Sequence, residues 1–323
     1  MRVVVASLAA VLVAALGACG GDGAEPGASK EATLVLDFQP NAVHSGIYAA
    51  LADGLYADRD IELEIREPSA STDAPKLLEA GRADFAILDI HDLGIARERG
   101  LDLVGFGAVV QRPLAAVIAG DRDAITEPAD LEGGDVGVTG LPSDEAVLDS
   151  VVEAGGADPG TVERVTIGFE AVPALSAGRL EAATAFWNAE GVTLRRAGVP
   201  TREFRVDDYG APRYPELVLV TSAETIDSDP ALVQRFYDAT RAGYGSMKAD
   251  PAAALEALID EAAAADLAEQ QAQLDALLAA DAFFPAVTLD QGALRDWSSW
   301  DVEHGILERP VKIGEAFAFI GRL

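Results

Sequence analysis

Short apolar runs alternate along this chain with stretches of helical periodicity. Thr33-Leu34-Val35-Leu36 predicts a strand, and Ile47 to Ala52 predicts a helix directly after it. Ile61-Glu62-Leu63-Glu64-Ile65 has the two-residue period of a strand with one buried face. Ala74 to Ala80 predicts a helix stopped by Gly81, and Asp84 to Leu88 a buried strand. A helix from Asp92 to Arg99 ends at Gly100, and strands follow at Leu103–Phe106 and Leu114–Ala119. The pattern then repeats: strand Val136–Val138, helix Asp144–Glu153, strand Arg164–Ile167, helix Ala171–Ala177, strand Ala182–Phe186. Leu217–Val220 is a further strand, and from Pro230 onward the chain reads as nearly all helix. The Ala-rich stretch Pro251–Ala280 has strong helix propensity and reads as packing, without chemistry. Strands alternating with helices predict an α/β architecture with mainly parallel sheets.

The first residues change the picture from a cytosolic to an exported chain. Met1-Arg2 is a minimal basic start, and the apolar stretch Val3–Leu16 is too short to span a bilayer and ends in small residues, as a signal peptide does. Leu16-Gly17-Ala18-Cys19 resembles a lipobox, in which the cysteine is acylated; the alternative is a plain secretory signal with an incidental cysteine. The Gly-rich segment that follows Cys19 suits a flexible tether. Cys19 is the sole cysteine, so no internal disulfide can form. With 54 acidic against 24 basic residues, the net charge of -30 repels phosphate backbones and argues against a nucleic-acid partner. Three histidines without close spacing argue against a metal site, and no cofactor is expected.

Candidate chemistry clusters at strand-to-helix junctions, which line the ligand crevice in open parallel sheets. Asp37, Phe38, Asn41 and His44 occupy the first junction; in the plainer reading Asn41 and Ser45 cap the helix and His44 is a surface residue. Asp89 and His91 follow a buried strand, where Asp89 either faces the crevice or caps the next helix. Ser143-Asp144-Glu145 stands at a helix start, as an anion site or as an ordinary cap. Trp187, Asn188 and Glu190 follow the strand that ends at Phe186. An aromatic face with a few aimed polar groups suits a flat heterocycle, and a carboxylate at position 190 can accept from an amine and a protonated ring nitrogen. Asn41 offers a donor and an acceptor, while Tyr209 and Tyr214 offer a second stacking surface or a hydroxyl. Inter-lobe packing is the alternative for Trp187, and a helix-start acid the alternative for Glu190.

The order of Gly81-Arg82-Ala83-Asp84-Phe85-Ala86, Gly140-Leu141-Pro142-Ser143-Asp144, Phe186-Trp187-Asn188-Ala189-Glu190-Gly191 and Asp208-Tyr209-Gly210-Ala211-Pro212, after the Asp37–Gly46 run, resembles the ThiY-like substrate-binding proteins of ABC transporters. Phe38 stands where that family is expected to have Trp. The resemblance implies a two-lobed type II periplasmic-binding-protein fold with a hinge. Its implied division is a signal peptide over 1–18, a tether over 19–32, a first lobe over 33–119 and 215–323, and a second over 120–214. It further implies a monomer that captures an aminopyrimidine precursor of thiamine, is held at the membrane by its lipid, and delivers its ligand to an ABC permease. Riboflavin or a small sulfonate is the alternative cargo. A related fungal fold synthesises the pyrimidine through a pyridoxal phosphate lysine, but Lys30, Lys76, Lys248 and Lys312 are the only lysines here and none adjoins the first junction.

Overall fold

The computed structural model describes residues 29–68, 73–120, 123–262 and 266–320; the expected signal peptide, Cys19 and the start of the tether lie outside the described residues. Two five-stranded sheets are built from these residues. The first comprises β1 (Lys30–Val35), β2 (Ile61–Arg66), β3 (Phe85–Asp89), β4 (Leu103–Val110) and, from much later in the chain, β10 (Leu217–Ser222), in the order β2-β1-β3-β10-β4. The second comprises β5 (Ala115–Ala119), β6 (Asp135–Val138), β7 (Glu163–Thr166), β8 (Ala182–Phe186) and β9 (Arg202–Arg205), in the order β7-β6-β8-β5-β9.

Each sheet is mixed where the sequence predicts mainly parallel pairing. β1 lies parallel to β2 and β3, and β6 parallel to β7 and β8. β10 runs antiparallel to β3 and β4, and β5 antiparallel to β8 and β9. The antiparallel strands are those that arrive from the other lobe, where no crossover helix dictates a parallel return. The sequence places Leu114–Ala119 at the end of the first lobe, but β5 pairs within the second sheet, so the chain crosses before it, through Gln111–Leu114. All five β5 residues are buried, and such an apolar run reads alike in either sheet. β9, whose Arg-Glu-Phe-Arg pattern carries little strand signal, has no counterpart in the sequence reading. β1 starts at Lys30, inside the expected tether. The Ala-rich stretch divides into helices Pro251–Ala262 and Leu267–Ala279, the second capped by Asp266, whose carboxylate accepts from the amides of Ala268 and Glu269.

Close contacts fix the helices that carry the first two junctions. Helix Ser45–Ala52 packs on helix Pro230–Ala249 at a glycine: a Cβ on Gly243 would lie 2.1 Å from the Gly46 carbonyl oxygen and 2.5 Å from Ala50 Cβ. Tyr244 follows, covering Gly46 with its ring and donating its hydroxyl to the Val43 carbonyl at 2.6 Å. On the other side of the first sheet, His91 of helix Ile90–Glu98 meets Asp301 of helix Gln291–Glu303 at 2.8 Å, both buried. Burial drives the proton off His91, but the charges of Asp301, Asp89 and Glu216 outweigh it and hold the imidazolium up to about 10.

Gly243→Ala should cost about 1–3 kcal/mol in urea unfolding, because backbone and methyl must part to admit one carbon; wild-type stability would mean the helices do not touch there. Stability owed to the His91 proton is complete below the ordinary value of 6.5 and is lost as pH rises through about 10. Asp301→Asn should destabilise by about 3–5 kcal/mol at neutral pH and flatten that alkaline loss. An unaltered pH slope would mean that His91 is neutral in the folded chain.

Candidate functional site

A cavity of about 220 Å³ lies between the two sheets, at the carboxyl ends of β1, β3, β6, β7 and β8. Asp37, Phe38 and Asn41 reach it from the first junction, and Asp89, His91 and Asp92 from the second. The other lobe contributes Thr139, Leu141 and Asp144 after β6, Phe169 after β7, and Asn188 and Glu190 after β8. Glu216 lines it from the return crossover. Six lining side chains are therefore carboxyl groups, and among the described residues no lysine or arginine lines the cavity.

Local bonding sets the first junction. Asn41 caps the turn Ala42–His44: its Oδ1 accepts from Val43 N–H at 3.0 Å, and its Nδ2 donates to the Gln39 carbonyl at 2.9 Å. The amide of Asn41 donates to His44 Nδ1 at 3.1 Å, so Nδ1 carries a lone pair and Nε2 the proton. That Nε2–H donates to Asp37 at 2.8 Å. His44, a surface residue in the plainer sequence reading, is fully buried and aims the Asp37 carboxylate. The sequence alternatives for Asn41 and Asp89 coexist, since each caps its helix and also lines the cavity; Asp89 accepts from His91 N–H at 2.7 Å.

The crossover carries an unusual acid. Glu216 donates its amide to the Val110 carbonyl, accepts from Ile90 N–H at its own carbonyl, and accepts from Leu114 N–H at Oε2 at 2.6 Å. It thus ties both segments that pass between the lobes. Burial first, then the charge of Asp89, pushes its carboxyl well above the ordinary range, and a side-chain hydrogen bond with Asp89 adds to the rise. Burial and Asp89 also raise Asp92 to about 7. Glu190 is raised by burial, against two backbone hydrogen bonds that favour its charge, one of them from Phe186 N–H at 3.0 Å. Ligand atoms of Asp89, His91 and Glu216 all lie within 4.8 Å of one another. Both His91 nitrogens are engaged, with Asp301 and with the Tyr214 hydroxyl at 3.2 Å.

Asn188 differs from its neighbours. It is only 2% exposed, lines the cavity, and its Oδ1 accepts no hydrogen bond from any described residue. A buried amide left so needs a partner from whatever fills the cavity.

Four sequence candidates stand away from the cavity lining. Trp187 is fully buried at the crossover, donating Nε1–H to the Pro113 carbonyl at 3.0 Å with the Arg205 guanidinium 4.0 Å from its ring centre. Tyr209 packs edge-on against Phe204, Tyr214 is buried behind His91, and His44 stands behind Asp37. Asp37, Phe38, Asn41, Asp89, Asn188 and Glu190 do converge on it. The sequence reading missed Asp92, Phe169 and Glu216. Glu216 had a signal, an acid at the edge of the apolar run Leu217–Val220, and Phe169 another, an aromatic between Gly168 and a helix start.

The chain matches the model of the NMT1/THI5-like family over residues 41–254. A formylaminopyrimidine-binding protein of Halalkalibacterium halodurans is 31% identical over 294 residues, 89% of each chain. The 4-amino-5-hydroxymethyl-2-methylpyrimidine phosphate synthase THI5 of Saccharomyces cerevisiae is 23% identical over 240 residues, 71% of this chain and 70% of its own. Among solved structures, the periplasmic aliphatic sulphonate binding protein SsuA of Escherichia coli aligns with a TM-score of 0.73 at 14% identity, covering 89% of this chain and 97% of that one. The fold is the two-lobed one of periplasmic binding proteins. By sequence match and by the relatives that share it, the chain belongs to the NMT1/THI5-like family.

Proposed function

We propose that this chain is an extracytoplasmic substrate-binding lipoprotein of an ABC importer, capturing a formylaminopyrimidine-type precursor between its lobes and releasing it to the permease. One observation carries the reading: the cavity is lined by hydrogen-bond acceptors, six carboxyl groups and the buried amide oxygen of Asn188, with no described lysine or arginine. An aminopyrimidine brings N–H donors on a flat ring and needs no counter-ion. The ligand named for the Halalkalibacterium halodurans relative has this chemistry.

The same lining weighs against the alternatives. A sulfonate would enter a site where six carboxyl groups outnumber the single lining cation, the His91 imidazolium, and like-charge repulsion opposes it. Riboflavin, with three fused rings and a sugar chain, needs more than about 220 Å³, which already falls below the ~300–1,000 Å³ of pockets for drug-sized ligands. Synthase chemistry through a lysine finds no support at the cavity. Lys30 pairs with Asp229, Lys248 lies 4.2 Å from the Phe284 ring centre, Lys312 pairs with Glu315, and Lys76 sits on helix Asp73–Glu79. In this reading Cys19 is the anchored residue, the chain works as a monomer, and the lobes close about the two crossovers tied by Glu216.

Titration calorimetry with formylaminopyrimidine tests the proposal. Wild type should bind, and Glu190→Gln, which keeps size but loses the charge, should weaken affinity roughly ten- to a hundredfold, about 1.5–3 kcal/mol. Affinity should also fall as pH drops through about 7, where Asp92 takes up its proton and ceases to be a charged acceptor. Unchanged affinity in Glu190→Gln, with the fold intact, would remove the carboxylate from the site.

A further inference from the structure

Large apolar side chains left in solvent are few in this molecule, and they gather at one place. Among the described residues five are exposed, and three of these, Phe38, Leu141 and Phe169, line the central cavity. Phe38 is 55% and Phe169 72% exposed. Phe38 and Phe169 belong to opposite lobes, each in the loop that joins a parallel strand to the next helix: Phe38 after β1, second in its sheet, and Phe169 after β7, the edge strand of the other. Gly168 holds a left-handed backbone, φ 56°, immediately before Phe169, so the loop turns there and an L side chain at 168 would be strained. Phe169 opens towards the cavity with no aromatic partner among the described ring contacts.

Trp187, the residue that sequence favours for stacking, is committed elsewhere: its indole N–H, its ring face and its full surface are used at the crossover. The stacking faces that a flat ring requires must come from other residues. We infer that Phe38 and Phe169 are the two jaws of an aromatic clamp, taking opposite faces of a planar heteroaromatic ring as the lobes close. The polar groups between them, Asn188 and Glu190, then read the ring edge. Phe169 is a specificity-determining residue that selects for flatness, whereas the carboxylates select for donors. Closure would bury both phenylalanines against the ring.

The inference rests on the aminopyrimidine reading, and the experiment separates the two. Formylaminopyrimidine is titrated into wild type, Phe169→Ala, Phe169→Leu, Phe169→Tyr and Glu190→Gln, each first shown by thermal melting to be folded. Because Phe169 is exposed, its variants should melt as wild type does. Phe169→Ala should weaken binding about tenfold or more, Phe169→Leu should recover only part of it, and Phe169→Tyr should stay within about threefold of wild type. A further variant, Phe169→Trp, places an indole at the mouth, and its emission should shift to the blue on ligand addition. If Phe169→Ala binds within about twofold of wild type, or Phe169→Leu binds as well as Phe169→Tyr, the clamp is overturned, while weakening in Glu190→Gln leaves the functional reading standing. A wild type that does not bind formylaminopyrimidine overturns both.

Discussion

Six carboxyl groups share a cavity of about 220 Å³, and their mutual repulsion sets the terms for everything around it. In so small and partly dry a space they cannot all be charged. The chain relieves the crowding in three ways. His91, kept as an imidazolium by Asp301 behind it, supplies the one positive charge at the floor. Glu216, whose carboxyl is raised well above the ordinary range by burial and by Asp89, is hydrogen-bonded to Asp89. Asp37 and Asp144 are occupied by protein donors, Asp37 by the His44 ring and Asp144 by the Thr139 amide and hydroxyl. What remains is a cavity rich in acceptors and short of donors, which a ligand bearing N–H groups completes.

The same constraint reaches the segments that pass between the lobes. Glu216 belongs to the cavity wall and to both crossovers, since its backbone bonds Val110 and Ile90 while its side chain holds Leu114 at the entry to β5. A ligand that alters the charge or bonding of Asp89 acts on the residue that ties the two lobes. Arg112, bonded to Asp207 at 2.6 Å, links the same two segments a few residues away. The crossover between the lobes is therefore polar and hydrogen-bonded.

Much of this was legible in the sequence, for physical reasons that also explain the rest. Strand-to-helix junctions announce themselves through apolar runs followed by capping acids and amides, so Asp37, Asn41, Asp89, Asn188 and Glu190 could be placed on the cavity side before any coordinates. The family resemblance supplied the two lobes. Periodicity could not show which sheet β5 joins, because a wholly buried run fits either, nor that Arg202–Arg205 pairs at all. Trp187 and Tyr214 misled for a related reason: aromatic residues near a cleft look alike in sequence whether they face it or pack behind it. Their partners, Pro113 and Arg205 for one and His91 for the other, are distant along the chain. Glu216 was overlooked because its role depends on three backbone segments meeting at one carboxyl group.

The central claim is that the acceptor lining selects a donor-bearing neutral ring and rejects an anion. Parallel calorimetric titrations of the wild-type chain with formylaminopyrimidine and with methanesulfonate, at neutral pH and low salt, test it most directly. The account predicts saturable binding of the pyrimidine and no measurable heat of binding from the sulfonate. Methanesulfonate binding as tightly as the pyrimidine, or more tightly, would contradict it.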